Sequence, residues 1–217
     1  MNNKFYNLPL DRQEQIINGA IKVFSTSNYS NTSTIEIARE AGISKGLIFH
    51  YFKNKKELYL FLYKYCASLY TSELEKNYDS KETDFFELLL KSQHFKCKFM
   101  KEHPYVYDFV VKVYLENDIE VVDEISQYVK PINDENCKRF FEKVDLNKFK
   151  KGVDVALLFK TLLWCSDGFM RNAFKNNISI DEIESEFAKI LMQYKENFYK
   201  EEFICTSMNT EIEKIIP

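Results

Sequence analysis

Thr34-Ile35-Glu36-Ile37-Ala38-Arg39-Glu40-Ala41-Gly42-Ile43-Ser44-Lys45-Gly46-Leu47-Ile48-Phe49-His50-Tyr51 is the stretch whose reading decides the fold. Ala38 is small, which lets two helices cross closely. Four residues later Gly42 stands where the first helix must stop, and glycine takes up positive φ there without strain. Ile37, Ala41, Ile43 and Ile48 are apolar at positions that pack the helices together. Ser44 follows the turn and can cap the second helix through its side-chain oxygen. The spacing predicts a helix-turn-helix. Its second helix presents Lys45, Gly46, Leu47, Phe49, His50 and Tyr51, and the N-terminal residues of such a helix are those that meet base edges in a DNA major groove.

The pattern continues as Phe49-His50-Tyr51-Phe52-Lys53-Asn54-Lys55-Lys56-Glu57-Leu58. From about Arg12 to Tyr63 this run resembles the TetR (tetracycline-repressor-like) family. That family's N-terminal domain carries a similar helix-turn-helix, an aromatic-rich tail and a Lys-containing start of a fourth helix. Two residues depart from it. Phe49 stands where the family often has Tyr, which removes a hydroxyl available to DNA. Leu47 stands where a small or polar residue is common. The resemblance implies an all-α fold: a three-helix head, a connecting fourth helix, and a larger helical regulatory and dimerisation domain. The corresponding boundaries are 1–54, 55–78 and 79–217. It also implies a homodimer in which the last two long helices, about 153–175 and 181–200, pair with their copies.

Composition agrees with a helical protein. Only 5 Gly and 4 Pro occur in 217 residues, which argues for long helices against a many-stranded β architecture. No apolar run reaches the length needed to span a bilayer. The start, Met-Asn-Asn-Lys-Phe-Tyr, lacks the apolar core of a secretory signal, so the expected compartment is the cytoplasm. The net charge of −3 hides a division. Residues 1–63 hold eight Lys and Arg against five Asp and Glu, a surplus of +3 that leaves −6 for the remainder. A basic head on an acidic body suits local phosphate binding. The cysteines, Cys66, Cys97, Cys137, Cys165 and Cys205, show no C-x-x-C spacing and read as free thiols.

Along the chain, a first helix is predicted from Asp11 to about Ser25, capped by Asp11 with Glu14 as its capping-box partner. Thr32 or Ser33 caps the second helix and Asn54 the fourth, which runs to about Lys76. Asn77–Ser80 is the expected boundary. Further helices are expected over 83–102, 105–116, 119–129, 133–144, 153–175 and 181–200. His103-Pro104 marks a stop and a start, and Pro131 ends or kinks its helix.

Lys45, Lys53, Lys55 and Lys56 bracket the recognition helix and suit phosphate contact, Lys55 most of all because the N-terminus of the fourth helix would face the same phosphate. Thr32 and Thr34 can donate to phosphate, and Ser44 belongs to the same surface. His50 reads better as a DNA contact than as a metal ligand, because His94 and His103 lie far away without metal spacing. Aromatic residues of the body, with Phe86, Tyr105, Phe109, Tyr128 and Trp164 foremost, offer either helical core or an apolar effector pocket. Asp167 sits in an otherwise apolar helix and should pair with Arg171 one turn on or with a ligand's polar group. Gly168 suits a close helix approach. No catalytic, metal or cofactor motif appears. The function expected is a ligand-responsive regulator, most simply a repressor, that binds a palindromic operator as a homodimer and is released by a small apolar or aromatic effector. The alternatives are a small-molecule-binding protein with a vestigial head and an all-helical enzyme.

Overall fold

The structure is a computed structural model that describes residues 4–76 and 81–204, so the expected boundary at Asn77–Ser80 and the thiol of Cys205 lie outside the described residues. Nine α-helices make up the described chain: α1 Leu10–Thr26, α2 Thr34–Glu40, α3 Lys45–Tyr51, α4 Lys55–Lys76, α5 Phe85–Glu102, α6 Pro104–Tyr114, α7 Val122–Lys143, α8 Val155–Lys175 and α9 Ile180–Phe198. Two compact units result. One comprises Met1–Tyr78 and Glu102–Cys137, and the other Asp79–Lys101 and Lys138–Pro217. The segment expected to form one body beyond residue 79 therefore contributes to both, and α6 belongs with the head.

In the first unit α1 buries Ile16, Ile17, Ala20, Ile21 and Phe24 on one face, as their helical spacing requires. Its start differs from expectation. Pro9, at φ −53°, precedes the first turn and no side chain caps it, so Asp11 lies inside the helix. Proline's fixed φ suits entry to a helix, and the Pro9 carbonyl accepts the Arg12 and Gln13 amides, both at 3.0 Å. The sequence also left a close helix approach unnoticed. It falls at Gly19 on α1, where a β-carbon would lie 2.7 Å from the Cα and the N of Ala41. Phe24, Tyr59 and Phe109 then join α1, α4 and α6, with ring centroids 4.9 to 5.9 Å apart. Aromatic pairs at this spacing add roughly 0.5–1.5 kcal/mol beyond their burial.

Two predicted helices, 119–129 and 133–144, are one. Helix α7 runs through Pro131. Proline removes one amide donor, but residue 127 and Pro131 are both exposed, so water can take the carbonyl that proline leaves free. In the second unit Asp84 caps α5, accepting from the amides of Phe86 (3.0 Å) and Glu87 (3.1 Å). Lys148 pairs with Asp84 at 2.7 Å, and the buried ammonium of Lys195 pairs with Glu87 at 2.8 Å. Tyr199 accepts the Phe85 amide at 3.2 Å and packs its ring against Phe86 and Phe149. Asp154 and Ser179 cap α8 and α9. Asn177, at φ 53°, makes the turn between these two helices.

Two outcomes test this packing. Gly19→Ala should lower the unfolding free energy by roughly 1–3 kcal/mol, since the backbone of Ala41 blocks the new methyl; urea denaturation followed by circular dichroism measures it. Burial alone would raise the Asp84 carboxyl, but Lys148, the Glu87 amide and Lys195 outweigh it and hold the group below its usual value. A depressed carboxyl contributes stability above its unfolded pKa and loses it as pH falls through the folded one. Unfolding titrations should therefore show an acid loss of stability below about pH 4 that Asp84→Asn reduces.

Candidate nucleic-acid interface

Helices α2 and α3 have seven residues each. Helices this short do not persist alone in water. Their termini are closed instead by local hydrogen bonds. Ser33 Oγ accepts the Ile35 amide and Ser44 Oγ accepts the Leu47 amide, both at 3.3 Å. Between them Gly42 adopts φ +64°. Its amide donates to Arg39 O at 3.2 Å and the Ile43 amide to Ala38 O at 3.0 Å. This is a Schellman turn, which needs the left-handed residue that glycine supplies. Arg12 on α1 donates to the Gly42 carbonyl at 2.8 Å and fixes the turn against the first helix. Ile37, Ala41, Ile48 and Phe52 are fully buried beneath.

The outward face of α3 is then set. Lys45, Gly46, Leu47, Phe49 and His50 are exposed, and Ser44 stands at its start. Leu47 and Phe49 keep 37% and 41% of their surface, and Ile35 on α2 keeps 64%. The Lys45 ammonium lies 5.9 Å from the Phe49 ring centroid. Thr34 is half-buried at the first position of α2. Tyr51 is half-buried as well, its ring edge against Phe5 at 6.0 Å.

Two expected members are placed otherwise. Thr32 is buried and its hydroxyl donates to Asn28 O at 2.8 Å, so it closes the α1–α2 loop and leaves the capping of α2 to Ser33. Lys55 turns inward. Its ammonium donates to the carbonyls of Tyr29 (2.8 Å), Ser30 (3.3 Å) and Thr32 (3.4 Å), and lies 4.3 Å from the Tyr29 ring centroid. Lys56 is ion-paired with Glu124 on α7, while Lys53 is exposed. Tyr29 in turn donates through its amide to Glu116 (3.0 Å) and through its hydroxyl to Glu120 (2.9 Å). Sequence reading missed this role of Tyr29, because its partners lie 87 and 91 residues away.

The side chains expected to line an effector pocket are dispersed. Phe109 is wholly buried among Phe24 and Tyr59, and Phe86 wholly buried among Phe85, Phe149 and Tyr199. Both fill core, as apolar residues at helical spacing tend to. Tyr105 keeps 49% of its surface, and Tyr128 is half-buried against Tyr63. Trp164 is 62% exposed beneath Lys160. Asp167 meets Arg171 at 3.0 Å across one helical turn, with both partly exposed, so the pair carries little desolvation penalty. Among the described residues, and apart from the backbone of α8 itself, no atom comes within 4 Å of a β-carbon placed on Gly168. Burial pushes the Cys66 thiol up to about 12 and the Cys97 thiol up to about 11, which keeps both protonated and unreactive. Lys96 on α5 escaped notice; burial pushes its ammonium pKa down, with Cys97 and Asp167 the charges that oppose the shift.

Residues 16–61 match the family model described as bacterial regulatory proteins, tetR family. Over 147 residues the chain is 27% identical to the fatty acid metabolism regulator protein of Bacillus subtilis (strain 168), a match covering 66% of this chain and 73% of that protein. It is 38% identical over 66 residues to the HTH-type transcriptional regulator HbdR of Aromatoleum sp. (strain CIB), covering 30% of this chain and 29% of that one. The fold is similar to that of the transcriptional regulator FadR from Bacillus subtilis in complex with stearoyl-CoA. The TM-score is 0.66 at 20% identity, over 82% of this chain and 96% of that one. Residues 16–61 therefore carry a head like that of the tetR family, and the fold is similar to that of solved TetR-family regulators. Regulators of this family bind DNA and small-molecule effectors and act as dimers. Among the described residues no helix is long and apolar enough to cross a membrane.

Lys55→Ala removes three donors from the α1–α2 loop. Hydrogen bonds from a charged group contribute roughly 1.5–3 kcal/mol each at best, and this ammonium is half-buried, so a total loss of about 1–3 kcal/mol is expected. Hydrogen exchange at the amides of residues 30–33 should accelerate in step.

Proposed function

We propose that this protein is a ligand-responsive repressor that binds a palindromic operator as a homodimer. The observation that carries the reading is the outward row on α3: Lys45, Gly46, Leu47, Phe49 and His50 on a short helix whose buried residue, Ile48, lies on its other side. Lys45 and His50 supply donors for base edges or phosphates, Gly46 permits close backbone approach, and Leu47 and Phe49 supply apolar contact of the kind that reads a thymine methyl. Ser44, Thr34 and Lys53 stand where backbone phosphates would flank that helix. Tyr51 orients it from beneath.

Dimerisation through α8 and α9 is supported by the exposure of Leu157 (56%), Leu163 (52%) and Trp164 (62%). Leu157, Trp164 and Gly168 follow one another at helical spacing along α8, so an apolar stripe with a gap at Gly168 awaits a partner helix. Two heads related by a twofold axis then require a site of matching symmetry. The likeness to a fatty acid metabolism regulator, and to a fold solved with stearoyl-CoA, makes a long-chain acyl thioester the first effector to try. Such a ligand releases DNA only through its differential affinity for the two states.

Selection from random duplexes at two salt concentrations tests the reading. Enrichment of a palindrome supports a dimeric regulator, and its loss on adding stearoyl-CoA supports the effector class. Lys45→Ala should change the preferred bases as well as the affinity, each lost bidentate contact relaxing discrimination by about 1–3 kcal/mol. Retention without any enriched sequence would demote the protein to a ligand binder with a vestigial head.

A further inference from the structure

Three groups with metal-ligating chemistry meet in the first unit, on elements other than α3. They are Glu73 in the last turns of α4, Glu102 at the end of α5, and His103 between α5 and α6. One ligand atom from each lies within 4.8 Å of the other two, and His103 Nε2 is 3.1 Å from Glu73 Oε1. Sequence spacing concealed the set, because 30 residues separate Glu73 from His103. The expectation of no metal-binding group rested on that spacing, and the helix packing supplies what the spacing lacks.

The backbone holds the histidine in place. Pro104 follows it and bars the helical region to His103, which sits at φ −131° and ψ 60°. The His103 carbonyl accepts the Tyr107 amide at 3.0 Å, so the same residue starts α6. Its ring therefore projects from a fixed corner, and Glu73 approaches from a different helix. The side chains of His103 and Glu73 keep 29% and 25% of their surface, and Glu102 is exposed. An ion has a route in, which a binding site needs.

We propose that Glu73, Glu102 and His103 form a site for a divalent first-row transition metal ion, with Zn(II) the best match. One imidazole nitrogen with two carboxylates is a borderline ligand set that suits Zn(II) and its neighbours over Mg(II) or Ca(II), which take oxygen alone. Bonds of about 2.0–2.2 Å would place tetrahedral ligands about 3.3–3.6 Å apart. The present separations, all within 4.8 Å, lie close to that spacing. Three protein ligands leave a fourth position for water or a donor atom of a ligand. The ion would clamp the end of α4 to the start of α6, whose far end leads to Glu116, the carboxylate that holds the α1–α2 loop through the Tyr29 amide.

Titration of the metal-free full-length protein with Co(II), followed by Zn(II) displacement, tests the site. The expected result is one ion per chain, a visible Co(II) ligand-field band, and no thiolate charge-transfer band, since the set contains no sulfur. His103→Ala should weaken binding by more than ~100-fold, beyond the loss that outer-shell changes produce. Glu102→Gln, at an exposed position, should weaken it by at least ~10-fold. Zn(II) should also raise the melting temperature of the wild-type protein and not of His103→Ala, because binding to the folded state alone stabilises it. Absence of saturable one-to-one uptake, a thiolate band, or uptake unchanged in both variants would overturn the proposal. Each of these readouts is independent of DNA binding.

Discussion

Lys55 stands at the first position of α4 and reaches back to three carbonyls of the loop between α1 and α2. The same loop presents Tyr29, whose ring lies under that ammonium and whose amide and hydroxyl donate to Glu116 and Glu120. Much of the first unit depends on this junction. A loop of polar residues cannot bury its carbonyls without donors. Lysine supplies three donors from one atom, and the Tyr29 face adds a cation–π contact. The two glutamates continue the network into the segment that follows α6. A change in the position of α6 would therefore be felt at the loop that introduces α2 and the recognition helix.

The helix-turn-helix is stable for a related reason. Neither α2 nor α3 is long enough to hold itself, so each is assembled from outside contacts. Gly19 lets the backbone of α1 lie directly on Ala41, and Arg12 fastens the Gly42 carbonyl. Serine caps start both helices, and Ile37, Ile48 and Phe52 fill the space beneath them. With Ile37, Ile48 and Phe52 on the inner side, Lys45, Leu47, Phe49 and His50 lie on the outer one.

The head was the most legible part of the chain, because its signals are local. Gly42, Ser44 and Asn54 each act on neighbours within a few residues, and each does what its position predicts: a left-handed turn and two helix caps. His103-Pro104 divides α5 from α6 for an equally local reason. The body was harder to read. Phe86, Phe109 and Trp164 belong to one residue class at similar spacing, yet two are wholly buried and the third is mostly exposed. Pro131 lies within α7 because the carbonyl it leaves unpaired faces water, a fact of exposure that no local rule contains. Lys55 looked like a free cation, since its carbonyl partners lie 23 to 26 residues earlier.

The sequence by itself determined the class of the fold, the helix-turn-helix with its turn and caps, and the row of residues on the outer face of α3. These follow from backbone preferences and helical periodicity, which act over one or two turns of chain. Tertiary structure alone decided which cations face outward, which aromatics fill core, and how Glu73, Glu102 and His103 come to share one corner. Those outcomes depend on which distant segments meet. Burial and hydrogen bonding between such segments are set by packing of the whole unit, and the residues concerned are identical in type to others nearby that were given different neighbours.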